Sequence, residues 1–301
     1  MASTVSTINQ TLVDTKVAEA LRYFLPVLNS FSRGVDSSGE KIKNDVVYVP
    51  IATDPTAQSK TAGTTPTANG TVAGTSVTLS NHYSAAWDAK ESAIAGAVFE
   101  NYWADKIAGA MYSLAKQVID AALGVITKAN FGVGADDVLT VAAADFGQLD
   151  LGILWGKSAR KIRQREISMG LGSEYAAALL GDSQLGQIFT TDGANFVKTG
   201  IIPNLIGMNT WAYGAFPANS EALGGAVFGK AAILVGVAPV APLAAAGEGQ
   251  IIDRRIITEP DSGISALYTS YFAGGGTITG ECELLYGVAK GQDAVVAIRT
   301  A

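Results

Sequence analysis

Hydrophobic side chains recur at three- and four-residue steps near the start of the chain. This spacing is typical of one face of an α-helix and predicts an amphipathic helix in the first segment of the chain. Pro26 is expected to end the helix, because proline removes a backbone donor and clashes with the preceding turn. Two interpretations stay open: the helix packs on its own domain, or it is an arm packed on a neighbouring molecule. Its apolar face consists of Val13, Val17, Leu21, Phe24 and Leu28.

A much longer helical pattern occupies residues 86–129 and stops at the glycines that follow Asn130. At about 1.5 Å per residue, this helix would be on the order of 60 Å long, which suits the spine of a flattened domain. Two shorter helices are expected at residues 145–168 and 174–180. The apolar stripe of the long helix contains Trp103, Ile107, Met111, Leu114, Val118, Ala122 and Val125, and that of the next helix contains Leu151, Trp155, Ala159 and Ile162.

Alternating and β-branched residues predict strands at residues 45–51 and 75–84. The segment between them, 52–74, is built almost entirely of small and polar residues and is unusually long for a connection inside a compact domain. It cannot bury enough apolar surface to offset its ordering entropy, and an isolated hairpin is marginal in water. Either the segment is disordered, or another chain supplies the surface on which it packs. The two flanking strands favour the second alternative, a protruding hairpin arm that a second copy of the chain covers. Further strands are expected at residues 228–237, 250–258, 265–272, 277–286 and 294–300.

The composition points to self-association. The chain has 301 residues, of which 48% are hydrophobic and only 16% are charged, well below the share of about 25% in typical soluble domains. A net charge of -6 argues against a dedicated nucleic-acid binder. One cysteine and one histidine exclude an internal disulfide and a multi-histidine metal site. We expect no export signal and no membrane span, and we expect apolar surface to be hidden against other copies.

No motif points to catalysis. Gly224, Gly229 and Lys230 have the spacing of a phosphate-binding loop, but Ala231 stands where a serine or threonine would hold Mg²⁺. Glu281 and Glu283 flank Cys282 on one expected strand, so the two carboxylates share one face and the cysteine points to the other. This favours a solvated strand face that carries the carboxylates, with the small cysteine buried beneath it. His82 has no recognisable carboxylate partner or serine nucleophile. We predict no catalytic residue, no metal site and no cofactor.

A basic face lies on the helix expected at residues 145–168. Three interpretations of this face are open. Its side chains are an ordinary solvated surface, or they pair with acidic patches on a neighbouring subunit, or they bind the phosphate backbone of a nucleic acid. The first two interpretations are favoured, because the chain as a whole is acidic and no aromatic residues interleave with the basic ones. The residues are Lys157, Arg160, Lys161, Arg163 and Arg165.

Several stretches, taken with the order of the elements, point to a known family. They are Ala89-Lys-Glu-Ser-Ala-Ile94 with Phe99-Glu-Asn-Tyr-Trp103, Ile202-Pro-Asn-Leu-Ile-Gly-Met-Asn209, and Glu259-Pro-Asp-Ser-Gly263 followed by Glu283-Leu-Leu-Tyr-Gly-Val-Ala289. The chain resembles the major capsid proteins of tailed bacteriophages, which share the Hong Kong 97-type fold. This resemblance implies an α+β fold with an N-terminal arm at 1–40, an E-loop hairpin at 41–86, a peripheral domain at 87–135 and 250–301, and an axial domain at 136–249.

The resemblance also implies partners and a location. The chain would assemble into hexamers and pentamers of an icosahedral shell, in the cytoplasm of a host bacterium, and would remain in the virion. The shell would enclose double-stranded DNA without sequence-specific contact. A separate scaffolding protein and a portal are expected, no membrane is involved, and the presence of decoration proteins stays open. Subunit contacts are expected at the basic face above and at Val47, Val49, Lys60, Val77 and Leu79.

Some members of that family link an E-loop lysine to a peripheral-domain asparagine in the neighbouring subunit. Lys60 lies near the expected hairpin tip, but residues 250–301 contain no asparagine, so we expect no such link. The nearest alternative function is an encapsulin-like nanocompartment shell, which has the same fold and holds cargo enzymes. Two others are a hydrolase or nucleotide-binding enzyme that uses Lys230 or the Glu281/Glu283 pair, and a surface adhesin.

Overall fold

The computed structural model describes residues 10–36, 41–52, 59, 72–90, 97–162, 166–181, 205–214, 216–241 and 251–300. The helices in this part of the chain are α1 (Gln10–Leu21), α2 (Leu25–Asn29), α3 (Ala97–Gly124), α4 (Lys128–Phe131), α5 (Gln148–Lys161) and α6 (Ser173–Gly181). Its strands are β1 (Ser32–Val35), β2 (Val46–Ala52), β3 (Val72–Thr78), β4 (Asn81–Lys90), β5 (Val138–Thr140), β6 (Ile167–Gly172), β7 (Asn209–Tyr213), β8 (Leu223–Gly229), β9 (Ile233–Pro239), β10 (Ile251–Thr258), β11 (Ser265–Gly274), β12 (Thr277–Lys290) and β13 (Val295–Arg299). None of the described helices is long and apolar enough to cross a bilayer.

The N-terminal helical segment packs on its own chain. All five residues of its predicted apolar face are buried in the main core, and α1 packs along α3. The first of the two open interpretations is therefore correct for this segment. The position of the break was predicted wrongly: α1 ends at Leu21, and Pro26 lies in the first turn of α2. Proline is tolerated there because the first helical N–H groups have no partner in the helix.

The first sheet has the strand order β1-β9-β12-β11-β10, with β4 on the other edge of β12. β12 is long enough to pair with β11 along its first half and with β9 along its second half. Its side chains alternate between two packing environments, as strand geometry requires. Leu284 and Tyr286 belong to the main core with α3, whereas Leu285 belongs to a separate cluster with the β2–β3 hairpin. The sheet is thus covered on both faces.

Two predicted helices are too long. Residues 86–90 are the end of β4 and pair with residues 277–281 of β12, and α3 begins at Ala97. Alanine and aromatic residues fit either conformation locally, so pairing with a neighbouring strand decides between them. In the same way, α5 ends at Lys161 and residues 167–172 form β6. The helix expected at 174–180 is confirmed as α6.

The second sheet has the order β5-β13-β8-β6-β7, and α5 and α6 pack against it. The predicted domain boundaries stay a prediction, and each sheet draws strands from both of the predicted domains. β9, which was assigned to the axial domain, lies in the first sheet, and β13, which was assigned to the peripheral domain, lies in the second. The apolar run from residue 223 to 239 divides at a short 3-10 turn and supplies β8 to one sheet and β9 to the other. A hydrophobic pattern shows that a strand is buried and leaves open which sheet buries it.

Candidate assembly surfaces

The β2–β3 hairpin rests on the first sheet of its own chain. Val47, Val49, Val77 and Leu79 are at most 5% exposed. Val49 and Val77 cluster with Leu234 and Ala289, and Val47 and Leu79 cluster with Ala238 and Leu285. The prediction that these four residues contact another subunit is therefore corrected: their cover is intramolecular. Sequence reasoning found a hairpin that needs a partner surface and assigned that surface to the wrong chain.

A row of three glycines forms the floor beneath the hairpin. Gly34 of β1 pairs with Gly236 of β9, which pairs with Gly287 of β12. A Cβ atom at Gly34 would lie 2.6 Å from the carbonyl oxygen of Tyr48, and one at Gly287 would overlap the carbonyl oxygen of Thr78. At Gly236 it would meet Val77 at 3.3 Å. The hairpin backbone approaches the sheet this closely because these positions carry no side chain.

The opposite face of the hairpin is exposed and partly apolar. Tyr48 is 72% exposed, and Val46 and Pro50 on the same face of β2 are also exposed. Their cross-strand partners are Thr78, Ser76 and Gly74 of β3. Lys60 and most of the segment between the two strands lie outside the described residues, so the prediction for Lys60 stays a prediction.

The basic face of α5 is paired within the chain. Lys161 is 10% exposed at its side chain and donates to Asp137 at 2.5 Å and to the carbonyl of Phe131 at 3.1 Å. Lys157 donates to the carbonyls of Ala135 and Val138. Arg160 forms an exposed ion pair of 2.6 Å with Asp136. The turn of residues 135–137 thus supplies intrachain partners for Lys157, Arg160 and Lys161. Arg160 stays exposed, and the prediction that the basic face contacts a neighbouring subunit stays a prediction. Arg163 and Arg165 lie outside the described residues.

The Lys161–Asp137 pair predicts a pH-dependent contribution to stability. The hydrogen bond from Lys161, helped by the Gly134 N–H, holds the pKa of Asp137 below its usual range, and burial opposes this effect. The folded pKa lies below the unfolded value of about 3.9, so the stabilisation is present above pH 4 and is lost as the pH falls through the folded pKa. We expect Asp137→Asn to lower the free energy of unfolding by about 1–2 kcal/mol at pH 7, because it removes the nearer carboxylate of Lys161 and leaves only the exposed Asp293 at 3.4 Å. The variant is expected to lose less stability than wild type on acidification.

Urea unfolding of wild type and variant at pH 7 and pH 3 measures this difference. Asp136→Asn is the matched control, since Asp136 and Arg160 are both more than half exposed and such pairs contribute little. Equal losses for the two variants at pH 7 would contradict the assignment.

One exposed feature of α5 was not predicted. Trp155, expected in the buried stripe, is 53% exposed, and Leu149 and Ile153 are exposed as well. The buried side of the helix consists of Leu151, Leu154 and Ser158. The signal that could have found this feature is a second apolar stripe together with two glycines inside the helix, Gly152 and Gly156.

The residues considered for catalysis are buried or have partners within the chain. Lys230 follows the end of β8 and pairs with Glu166 at 2.8 Å, and the strand–loop–helix context of a phosphate-binding loop is not present there. Cys282 is fully buried, which raises the pKa of its thiol and leaves it unreactive. His82 does have a carboxylate partner, contrary to prediction, because β4 and β12 bring Glu283 within 2.8 Å of its Nε2. The described residues contain no group of three or more histidine, cysteine, aspartate or glutamate side chains that could hold a metal ion.

Comparison with solved structures identifies the fold. The chain is similar to the capsid of Ralstonia phage GP4 with a TM-score of 0.54 and 10% identity, over 90% of this chain and 87% of that chain. It is similar to the capsid structure of cyanophage P-SCSP1u (TM-score 0.50, 12% identity, 91% and 87% covered) and to the capsid of a native GTA particle (TM-score 0.50, 17% identity, 92% and 90% covered). No protein-family model matches the chain, and no curated protein matches it in sequence. The chain has the mixed α and β fold of phage capsid proteins, which confirms the resemblance at the level of the fold.

Proposed function

We propose that this protein is the major capsid protein of a tailed phage, which assembles into the icosahedral shell around a double-stranded DNA genome. The observation that carries the proposal is a fold shared with phage capsids over nine-tenths of the chain. Such a likeness identifies the architecture, and the function follows from what the surfaces of this chain can do. Its exposed features include apolar side chains, and its candidate catalytic groups are buried or have partners within the chain.

The remaining parts of the proposal concern partners. Hexamers and pentamers form from copies of this chain, a separate scaffolding protein and a portal take part, and assembly occurs in the host cytoplasm. The net charge of -6 supports a shell that binds its packaged DNA only weakly, because both are negatively charged. We expect no enzymatic activity, and calorimetry with ATP is expected to show no binding heat.

Purification of particles followed by negative-stain imaging and nuclease treatment tests the function. We expect closed shells that protect double-stranded DNA from nuclease. Shells that hold a protein cargo and no DNA would favour the nanocompartment instead. A chain that stays monomeric at every concentration, alone and with its scaffolding partner, would contradict both. On denaturing gels we expect no covalent ladder of subunits.

Removal of the hairpin tip separates folding from assembly. We expect replacement of residues 53–71 by Asn-Gly to leave a folded chain, because the paired residues 46–52 and 72–78 keep their places on the glycine row. The free energy of unfolding of the variant is expected to lie within about 0.5 kcal/mol of the wild-type value. The variant is expected to form no closed shells under conditions where wild type assembles. Normal particles from this variant, seen by electron microscopy, would show that the tip is not needed for assembly.

A further inference from the structure

The exposed side of α5 carries large apolar side chains that nothing in the described chain covers. Leu149 is 79% exposed, Trp155 53% and Ile153 39%. Single exposed hydrophobic residues are common on protein surfaces, but Leu149 and Ile153 are neighbours one helical turn apart. Trp155 lies on the same exposed half of the helix, on the other side of Gly152 and Gly156. Leu149, Ile153 and Arg160 follow helical spacing along one line, so this line ends in an exposed cation. We call these four residues the α5 ridge.

No contact within the described chain requires glycine at two positions inside α5, Gly152 and Gly156. A Cβ atom at Gly152 would have no neighbour within 4 Å, and one at Gly156 would meet only the end of the Arg160 side chain at 3.9 Å. A glycine in a helix interior costs about 1 kcal/mol relative to alanine. The chain's own packing therefore does not account for them, whereas another surface could approach the helix closely at these positions.

A groove with complementary properties begins just before α5. It has a volume of about 660 Å³ and lies between residues 143–147 and α6. Its walls include the small residues Ala144, Ala178 and Gly181, so it can accept bulky side chains. Asp145 and Glu174 line it, both exposed, and neither forms an ion pair with another residue of the described chain. The groove is thus concave and acidic, whereas the α5 ridge is convex, apolar and basic at one end.

We propose that the α5 ridge of one copy docks in this groove of a second copy. The match of shape and of charge, with Arg160 directed at Asp145 and Glu174, supports a second copy as the occupant. Ridge and groove are different surfaces and every copy carries both, so the contact can repeat from copy to copy. The inference rests on the proposed function, since it assigns one of the contacts that would hold the shell together.

Charge reversal tests the contact. We expect Arg160→Glu, and separately Glu174→Arg, to raise the protein concentration needed for assembly about tenfold. The double variant is expected to return most of the way to wild type, because the opposite charges face each other again. Asp136→Asn is the matched control: it removes the intrachain partner of Arg160 and is expected to leave assembly unchanged. A double variant that assembles no better than the single variants would overturn the proposal.

Cross-linking provides a readout that does not depend on shell closure. The native Cys282 is fully buried, so introduced cysteines react selectively. With a short bismaleimide, we expect the Ile153→Cys/Ala178→Cys variant to form intermolecular adducts on denaturing gels. Val133→Cys/Ala178→Cys is the control, because Val133 is 66% exposed and lies outside the ridge, and it is expected to stay monomeric. If images show shells but the gels show no cross-linked adducts, the docking is refuted and the proposed function stands. If neither shells nor adducts form, the docking and the proposed function are both refuted.

Discussion

Replacement of Gly287 by alanine is expected to lift the β2–β3 hairpin off its sheet. The new Cβ would overlap the carbonyl oxygen of Thr78, and a backbone atom cannot rotate away as the end of a side chain can. Overpacking in a close-packed interior costs typically 1–3 kcal/mol, and we expect a loss of about 3 kcal/mol here. Urea unfolding measures the loss. Limited proteolysis is expected to cut the variant within residues 46–78 before wild type.

The control for this prediction is the same substitution at Gly109 of α3. A Cβ at Gly109 has no neighbour within 4 Å, so Gly109→Ala is expected to stabilise the protein by up to about 1 kcal/mol through helix propensity alone. The two variants therefore change the free energy of unfolding in opposite directions. A Gly287→Ala protein that unfolds at the wild-type urea concentration, with its hairpin still protected, would contradict the packing described for the glycine row.

The hairpin shows what the sequence can and cannot reveal about this fold. Alternation predicted both strands, and the lack of large aliphatic residues between them predicted that the arm needs a surface. The identity of that surface depends on Gly34, Gly236 and Gly287, which are far apart in the chain and meet only when β1, β9 and β12 pair. A glycine in a strand indicates close approach of something, and its sequence neighbours do not say of what.

Helix α5 shows a second limit. After Leu151, both Leu154 and Trp155 are apolar, so steps of three and of four residues are equally consistent with a buried stripe. The structure buries Leu154 and exposes Trp155. The basic side chains of this helix were recognised correctly, but their partners Asp136 and Asp137 precede the helix on a turn that folds back beside it. Element order and the family resemblance predicted the fold, whereas contacts between distant segments had to be observed.

The second large effect is expected at Trp103, where α3 contacts the first sheet. Trp103 is fully buried, donates from Nε1 to the hydroxyl of Tyr268 at 2.5 Å, and lies edge-on to Trp87 with ring centroids 5.5 Å apart. A Cβ at Gly280 would come within 3.0 Å of both indole rings, so the rings fill the space above that glycine. Removal of so large a side chain leaves a cavity beneath the helix. We expect Trp103→Ala to lower the free energy of unfolding by about 3–5 kcal/mol.

Two further variants make this prediction specific. Trp103→Phe keeps an aromatic ring in the cavity and removes the donor to Tyr268, so we expect a smaller loss of about 1–2 kcal/mol. Burial raises the pKa of Tyr268 to about 12 and the bond from Trp103 opposes this shift, so the pKa of Tyr268 should rise further in the phenylalanine variant. Trp155→Ala removes an exposed indole from α5 and is expected to change stability by less than about 0.5 kcal/mol. Equal losses for Trp103→Ala and Trp155→Ala would mean that α3 is not anchored to the sheet through Trp103.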